Sequence, residues 1–262
     1  MLADDLRCMF YIALKDLRAY YFKPPNISWG ILFPFAFILA FAIRNPGDLR
    51  ALVPGLLALT ILFGTSSMEA IVIVFERRVG SWERLLLAPV RLPALLAGKL
   101  LGGMTFGLTV TLVVLLIALS IFGAGEVNWL MLVLALLLSA IAFSALGAFV
   151  SVAVKEVFEA QTLANFIRFP MMFLGGVFVP VAGLPVWLQI IARLLPLTYS
   201  VEALRAALTA PLASCQRDGA QAARSCLADG TWSTASLDLG VLALFSLVLF
   251  FLTVLTQARH TD

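Results

Sequence analysis

The chain of 262 residues is 62% hydrophobic and only 13% charged, with a mean hydropathy of +1.03, far from the roughly 25% charged residues of a soluble domain. That composition excludes a soluble globular protein, and the formal charge of +3 does not imply nucleic acid. In a membrane protein the basic residues are read by their side of the bilayer rather than by their sum. Only helices or closed barrels satisfy the backbone in lipid, and no strand-like alternation argues for a barrel. The class expected is therefore an all-α polytopic membrane protein, one domain over residues 1–262.

Residues 1–25 read as an interfacial helix closed by Pro24 and Pro25. Leu6, Phe10, Ala13, Leu17 and Tyr20 line one side, and Arg7, Tyr11, Lys15 and Arg18 line another. The charges are too many to span, and the basic and aromatic face suits the headgroup layer. Asp4, Asp5 and Asp16 among apolar residues, without a small-residue cleavage site, argue against a secretory signal peptide.

Six spans are expected: Ile27 to Ile43, Leu52 to Phe75, Leu95 to Phe122, Trp129 to Val154, Thr162 to Ala182 and Leu237 to Thr256. The turn Arg44 to Arg50 makes the first two antiparallel. Pro170, Gly175, Gly176 and Pro180 predict a kink or break in the fifth. Residues 184–199 are apolar but too short to cross and read as re-entrant or interfacial, while 205–236 read as a polar extracytoplasmic loop. Within that loop Cys215 and Cys226 are candidates for a disulfide, whereas Cys8 belongs to the reducing side.

Six spans put both termini on one face. Arg7, Lys15, Arg18, Lys23, Arg77, Arg78, Arg84, Arg91, Lys99, Lys155, Arg168 and Arg259 gather toward it, against Arg44, Arg50, Arg193, Arg205, Arg217 and Arg224 opposite. The positive-inside rule makes that face cytoplasmic.

Between the second and third spans residues 76–92 form a charged island. Gly80 breaks the preceding helix, Ser81 caps a new one with Glu83 in its first turn, and Ala88 before Pro89 ends it. Trp82, Leu85, Leu86 and Pro89 follow the spacing of one apolar face, with Glu83, Arg84, Arg77 and Arg78 wet. Such an element suits docking against something outside the membrane.

Catalysis has little support: the one histidine, His260, lies in the tail, and no phosphate-binding loop of the G-x-x-x-x-G-K-[ST] type occurs. Within the spans, Glu69 beside Thr65, Ser66 and Ser67, and Arg168 near Asn165, are ionisable groups that mark a possible path. Their bland alternative is to snorkel or to pair with each other. Gly98, Gly102, Gly103 and Gly107 give small-xxx-small spacings for close helix contact.

The island resembles the cytoplasmic signature of type-2 ABC transporter permeases: an acidic residue, a basic one, Gly, Thr or Ser, an acidic residue, paired leucines and Pro, then Gly-Lys. Glu76, Arg77, Gly80, Ser81, Glu83, Leu85, Leu86, Pro89, Gly98 and Lys99 supply it. A second block, Pro170 to Pro180 followed by Leu184 to Leu188 and Pro196 to Arg205, is similar to the family in the same order. The departures are Arg78, where an acidic residue is usual, and Ser81, where Thr is common. The resemblance implies a permease that works in lipid as a homodimer with two separate ABC ATPase subunits that hold ATP and Mg, and with no cofactor on this chain. It implies that Glu76, Arg77, Gly80, Ser81, Trp82, Glu83, Arg84, Leu85, Leu86 and Pro89 meet the ATPase, and that Glu69, Asn165, Arg168, Phe173 and Phe178 lie on the translocation path. It further implies a bacterial or archaeal plasma membrane and an amphipathic compound, lipid or glycan as substrate. An ion-coupled secondary transporter would show inverted repeats and paired mid-membrane carboxylates, and an intramembrane lipid-modifying enzyme would show Asp, His or Lys clustered at one face.

Overall fold

The computed structural model describes residues 2–23, 49–88, 90–123, 127–178, 181–209 and 231–261, with single positions at 32, 36 and 40. Helix α1, Leu2–Asp16, continues through a π-helical turn, Leu17–Tyr21. It is followed by α2 (Leu49–Arg78), the short α3 (Ser81–Leu86), α4 (Leu92–Phe122), α5 (Trp129–Val152) and α6 (Val157–Leu174). After a single 3-10 turn, Val181–Gly183, come α7 (Val186–Arg193), α8 (Pro196–Thr209) and α9 (Thr231–Thr261). No strand occurs among the described residues.

Four of these helices, α2, α4, α5 and α9, are long and apolar enough to cross a membrane. The shortest, α5 with 24 residues, is about 36 Å long at 1.5 Å per residue, against a hydrocarbon core of about 30 Å. The expected first span, Ile27 to Ile43, falls almost wholly outside the described residues, as do Cys215 and Cys226 and the polar stretch around them.

The expected fifth span is not one helix. Helix α6 begins at Val157, where the Glu159 carboxylate accepts the Glu156 N–H at 3.3 Å, and it ends at Leu174. Gly175 N–H closes onto Met171 O at 2.7 Å, and Gly176, at φ +76°, turns the chain in the left-handed region. The chain then folds back as α7 and α8. The boundary expected at Arg205 also moves: α8 runs to Thr209 with Val201, Ala203, Leu204 and Ala207 fully buried, and α9 starts at Thr231. The charges and glycines that follow Arg205 made this stretch read as polar, but Arg205 itself lies in a helix whose other side is core.

Helix α2 is central, packing against α4, α5, α6 and α8, while α9 lies on α5 and α8. The main core joins Leu57, Ile61 and Leu62 of α2 to Phe143 of α5, Met171 and Met172 of α6, and Leu197 and Val201 of α8. Polar groups inside it are satisfied locally: Thr60, Thr65 and Thr111 donate to the carbonyl one turn back, and Ser139 and Ser200 join α5 to α8 at 2.7 Å. Asn128 caps α5 through Met131 N–H at 3.2 Å and donates its own N–H to Ala207 O at 3.0 Å, tying the α4–α5 turn to the end of α8.

Glycine sets the helix spacing. On α4, Gly98 and Gly102 face α1, where a Cβ at Gly98 would lie 3.0 Å from the Met9 backbone, while Gly103 and Gly107 face Glu69 and Thr65 of α2. The small-residue spacings therefore serve two neighbours. On α5, a Cβ at Gly147 would lie 2.6 Å from Ser66 O, and at the other end of α2 one at Gly55 would lie 2.8 Å from Val177 O.

Gly147→Ala is accordingly expected to destabilise by about 1–3 kcal/mol, because backbone must move to admit the methyl. Gly240→Ala in α9, with open space around it, should gain about 0.5–1 kcal/mol of helix preference. Melting temperatures in neutral detergent check the opposite signs.

Candidate functional site

The charged island is continuous with α2. That helix carries Glu76, Arg77 and Arg78 on its last turn, and a two-residue corner, Val79 and Gly80, the latter at φ +69°, starts α3. Gly80 rather than Ser81 holds the cap position; Ser81 Oγ instead donates to Glu76 O at 3.3 Å. The left-handed φ is what allows two helices to meet so closely.

Trp82 points inward. It is 2% exposed and packs with Ile12 of α1, Ile73 of α2, Leu95 and Leu96 of α4, and Ala148 of α5. The expected apolar ridge of Trp82, Leu85 and Leu86 is thus turned toward this chain, with both leucines half-buried in the same cluster. The outward surface is made by Arg78, Val79, Glu83, Arg84 and Leu87, the last 86% exposed. Pro89 lies outside the described residues.

Behind Trp82 lies a buried ionic quartet. Lys99 Nζ is 3.0 Å from Asp16 Oδ2 and 2.5 Å from Glu76 Oε2, and all three side chains are fully buried. Lys15 Nζ, at the rim, is 2.5 Å from Glu76 Oε1 and 2.9 Å from Asp16 Oδ1. Each charge therefore touches two of the opposite sign. The Lys99 ammonium also lies 5.9 Å from the centroid of the Trp82 ring. Burial pulls the Lys15 pKa down, but the Asp16 and Glu76 carboxylates outweigh it and leave the pKa above the ordinary lysine value. Glu76, expected on the docking surface, is thus the link between α1 and α4.

The neighbouring arginines fasten the same corner. Arg77 donates to Ser151 O at the end of α5, and Arg78 pairs with Glu156 before α6 at 2.6 Å, a surface contact of small energy.

The residues expected on a path divide between two sides of α2. Glu69 accepts a hydrogen bond from Tyr21 OH at 2.8 Å and so faces α1 and α4. Arg168 Nη1 donates to Ser67 Oγ of α2 and to Asn165 Oδ1 at 3.3 Å, with the guanidinium carbon 5.4 Å from the Phe63 ring centroid. Glu69 and Arg168 are therefore not a pair. Phe173, 62% exposed, lies with its ring centroid 6.1 Å from that of Phe178. Among the described residues no three His, Cys, Asp or Glu side chains converge to hold a metal.

Sequence reasoning missed Asp16 as a partner of Lys99, Tyr21 as the partner of Glu69, and Gln161. The last was readable: Gln161, Asn165 and Arg168 recur at helical spacing along an otherwise apolar segment.

Membrane-length apolar helices with a charged corner locked to their ends define an integral membrane protein. The chain belongs to the ABC-2 type transporter family, which it matches over residues 9–209. It is 29% identical over 160 residues to the inner membrane transport permease YadH of Escherichia coli strain K12, covering 60% of this chain and 61% of that protein. It is 28% identical over 159 residues to nodulation protein J of Rhizobium leguminosarum bv. trifolii, covering 59% of each. The match thus spans about three fifths of the length of these curated relatives.

Lys99→Met is expected to cost roughly 3–5 kcal/mol, since it leaves two buried carboxylates with one cation. Lys99→Met combined with Glu76→Gln, which restores neutrality, should cost less. Thermal unfolding of the single and double variants measures the difference.

Proposed function

We propose that this chain is the membrane-spanning subunit of an ATP-binding-cassette exporter. Two copies form the translocation path, and two separate ATPase subunits supply ATP hydrolysis, the nucleotide and its Mg being held there. The observation that carries this reading is the construction of the island: its inner face is locked to α1, α2, α4 and α5, while Glu83, Arg84 and Leu87 face outward. A contact made on that outer face reaches α2 through the Val79–Gly80 corner and α4 through the packing of Trp82 on Leu95 and Leu96. Family membership supports the same role, and the E. coli relative is an inner membrane transport permease.

The charge distribution supports a cytoplasmic position for the island and both termini, in a bacterial or archaeal plasma membrane. The substrate class in this reading is an amphipathic compound, a lipid or a glycan.

Burial of Trp82 changes which substitution tests the ATPase contact. Trp82→Ala is expected to destabilise the fold by about 3–5 kcal/mol and so reports on folding. Glu83→Arg, on an exposed side chain, should leave melting unchanged while removing ATPase co-purification and substrate-stimulated hydrolysis. Retention of both by Glu83→Arg would sink the assignment of this face as the ATPase contact.

Orientation has its own test, in a background with the native cysteines replaced by serine. A cysteine at Ser81 is expected to be shielded from an impermeant thiol reagent in intact cells, and one at Thr231 to be labelled. The reverse pattern would invert the topology.

A further inference from the structure

Gln161, Asn165 and Arg168 form a polar seam along one side of α6, spaced i, i+4, i+7. Arg168 lies about 16 Å from the start of α6, and Ser67, which it contacts, about 16 Å from the end of α2, at 1.5 Å per residue. The guanidinium thus sits between two helices and reaches sideways from α6 to Ser67 of α2. It is 1% exposed, and its Nη2 has no hydrogen-bond partner among the described residues. No carboxylate lies within ion-pair distance of it among those residues, and Glu69 is engaged by Tyr21 on the other side of α2. The buried Gln161 Oε1 is likewise without a partner. A half-turn of that amide presents its N–H groups in place of the oxygen.

A buried guanidinium without a counter-charge is costly and marks a functional position in a membrane protein. Its planar fork of donors matches carboxylate and phosphate oxygens. Beside the seam, the exposed side of the same helix carries Phe166, Phe169 and Phe173, an apolar strip for a tail. We propose that Arg168, with Asn165, Ser67 and Gln161, binds the acidic headgroup of an amphipathic anion, a phosphate monoester or carboxylate whose apolar portion lies along the phenylalanines of α6. This rests on the transport reading for its place in a path, and it narrows the substrate class to anionic amphiphiles.

Binding alone tests it, on the purified full chain in neutral maltoside detergent without any ATPase, so that its outcome is independent of the ATPase contact. Dodecyl phosphate and dodecyltrimethylammonium, which share a tail, are titrated by calorimetry. The phosphate is expected to bind and the ammonium not. Asn165→Asp places a near-isosteric carboxylate beside the guanidinium and should weaken dodecyl phosphate binding by about tenfold or more, the loss of a charge-assisted hydrogen bond, at an unchanged or higher melting temperature. Arg168→Lys, which keeps the charge and loses the fork, should bind with intermediate affinity. Competition by phosphatidylglycerol but not phosphatidylcholine would identify the anion as a bilayer lipid, and absence of competition would identify it as a dispersed amphiphile; either supports the site. Equal binding of the two probes, or wild-type affinity for dodecyl phosphate in both variants, overturns it.

Discussion

Three charges removed from water at one corner, with a fourth at its rim, fix much of this structure. Isolated, each of Asp16, Glu76 and Lys99 would cost several kcal/mol to bury; together with Lys15 they form a neutral ring in which every group has two partners. The ring closes only because α1 approaches α4 closely at Gly98 and Gly102, which leave the space that side chains would occupy. The direction of dependence runs both ways, since the small residues allow the contact and the charges penalise any register that separates them. Trp82 then covers Lys99, so the short helix that carries it has one orientation relative to the long helices. The outer face of the island is positioned by what lies behind it.

The long elements were legible in the sequence because span length and apolarity need no tertiary information. Leu52 to Phe75 became Leu49–Arg78, Leu95 to Phe122 became Leu92–Phe122, and Trp129 to Val154 became Trp129–Val152. The corner at Gly80 was legible for the same local reason, through glycine's access to positive φ. The direction of the apolar face of α3 was not. Amphipathic spacing says that Trp82 is covered and is silent on whether the cover is a partner or the same chain.

Long-range electrostatics was equally hidden. Asp16 and Lys99 are separated by most of the first hundred residues, and their contact depends on how α1 lies across α4. Lys15 was read on the face of α1 that suits the headgroup layer; it is partly exposed, but its ammonium bends back to the buried carboxylates. The last turn of helix α8 was missed because the loop was drawn from Arg205, the first charge of a long polar stretch. In the fold Glu202 and Arg205 flank the buried Val201, Ala203 and Leu204, and Arg205 donates to Gly176 O at 3.1 Å.

Helix α2 has 30 residues and so about 45 Å of length, with contacts of different kinds at its two ends. At the Arg78 end it is clamped by the ionic ring and by Arg77, whereas near its start Gly55 lies directly on the Val177 carbonyl, beside the turn that closes α6. Such a rod works as a lever. A tilt of about 5° at the clamped end displaces Gly55, about 35 Å away, by about 3 Å, more than the Gly55–Val177 contact can absorb without the turn between α6 and α7 moving too. A small rotation at one membrane face is thereby geared up into a larger displacement at the other.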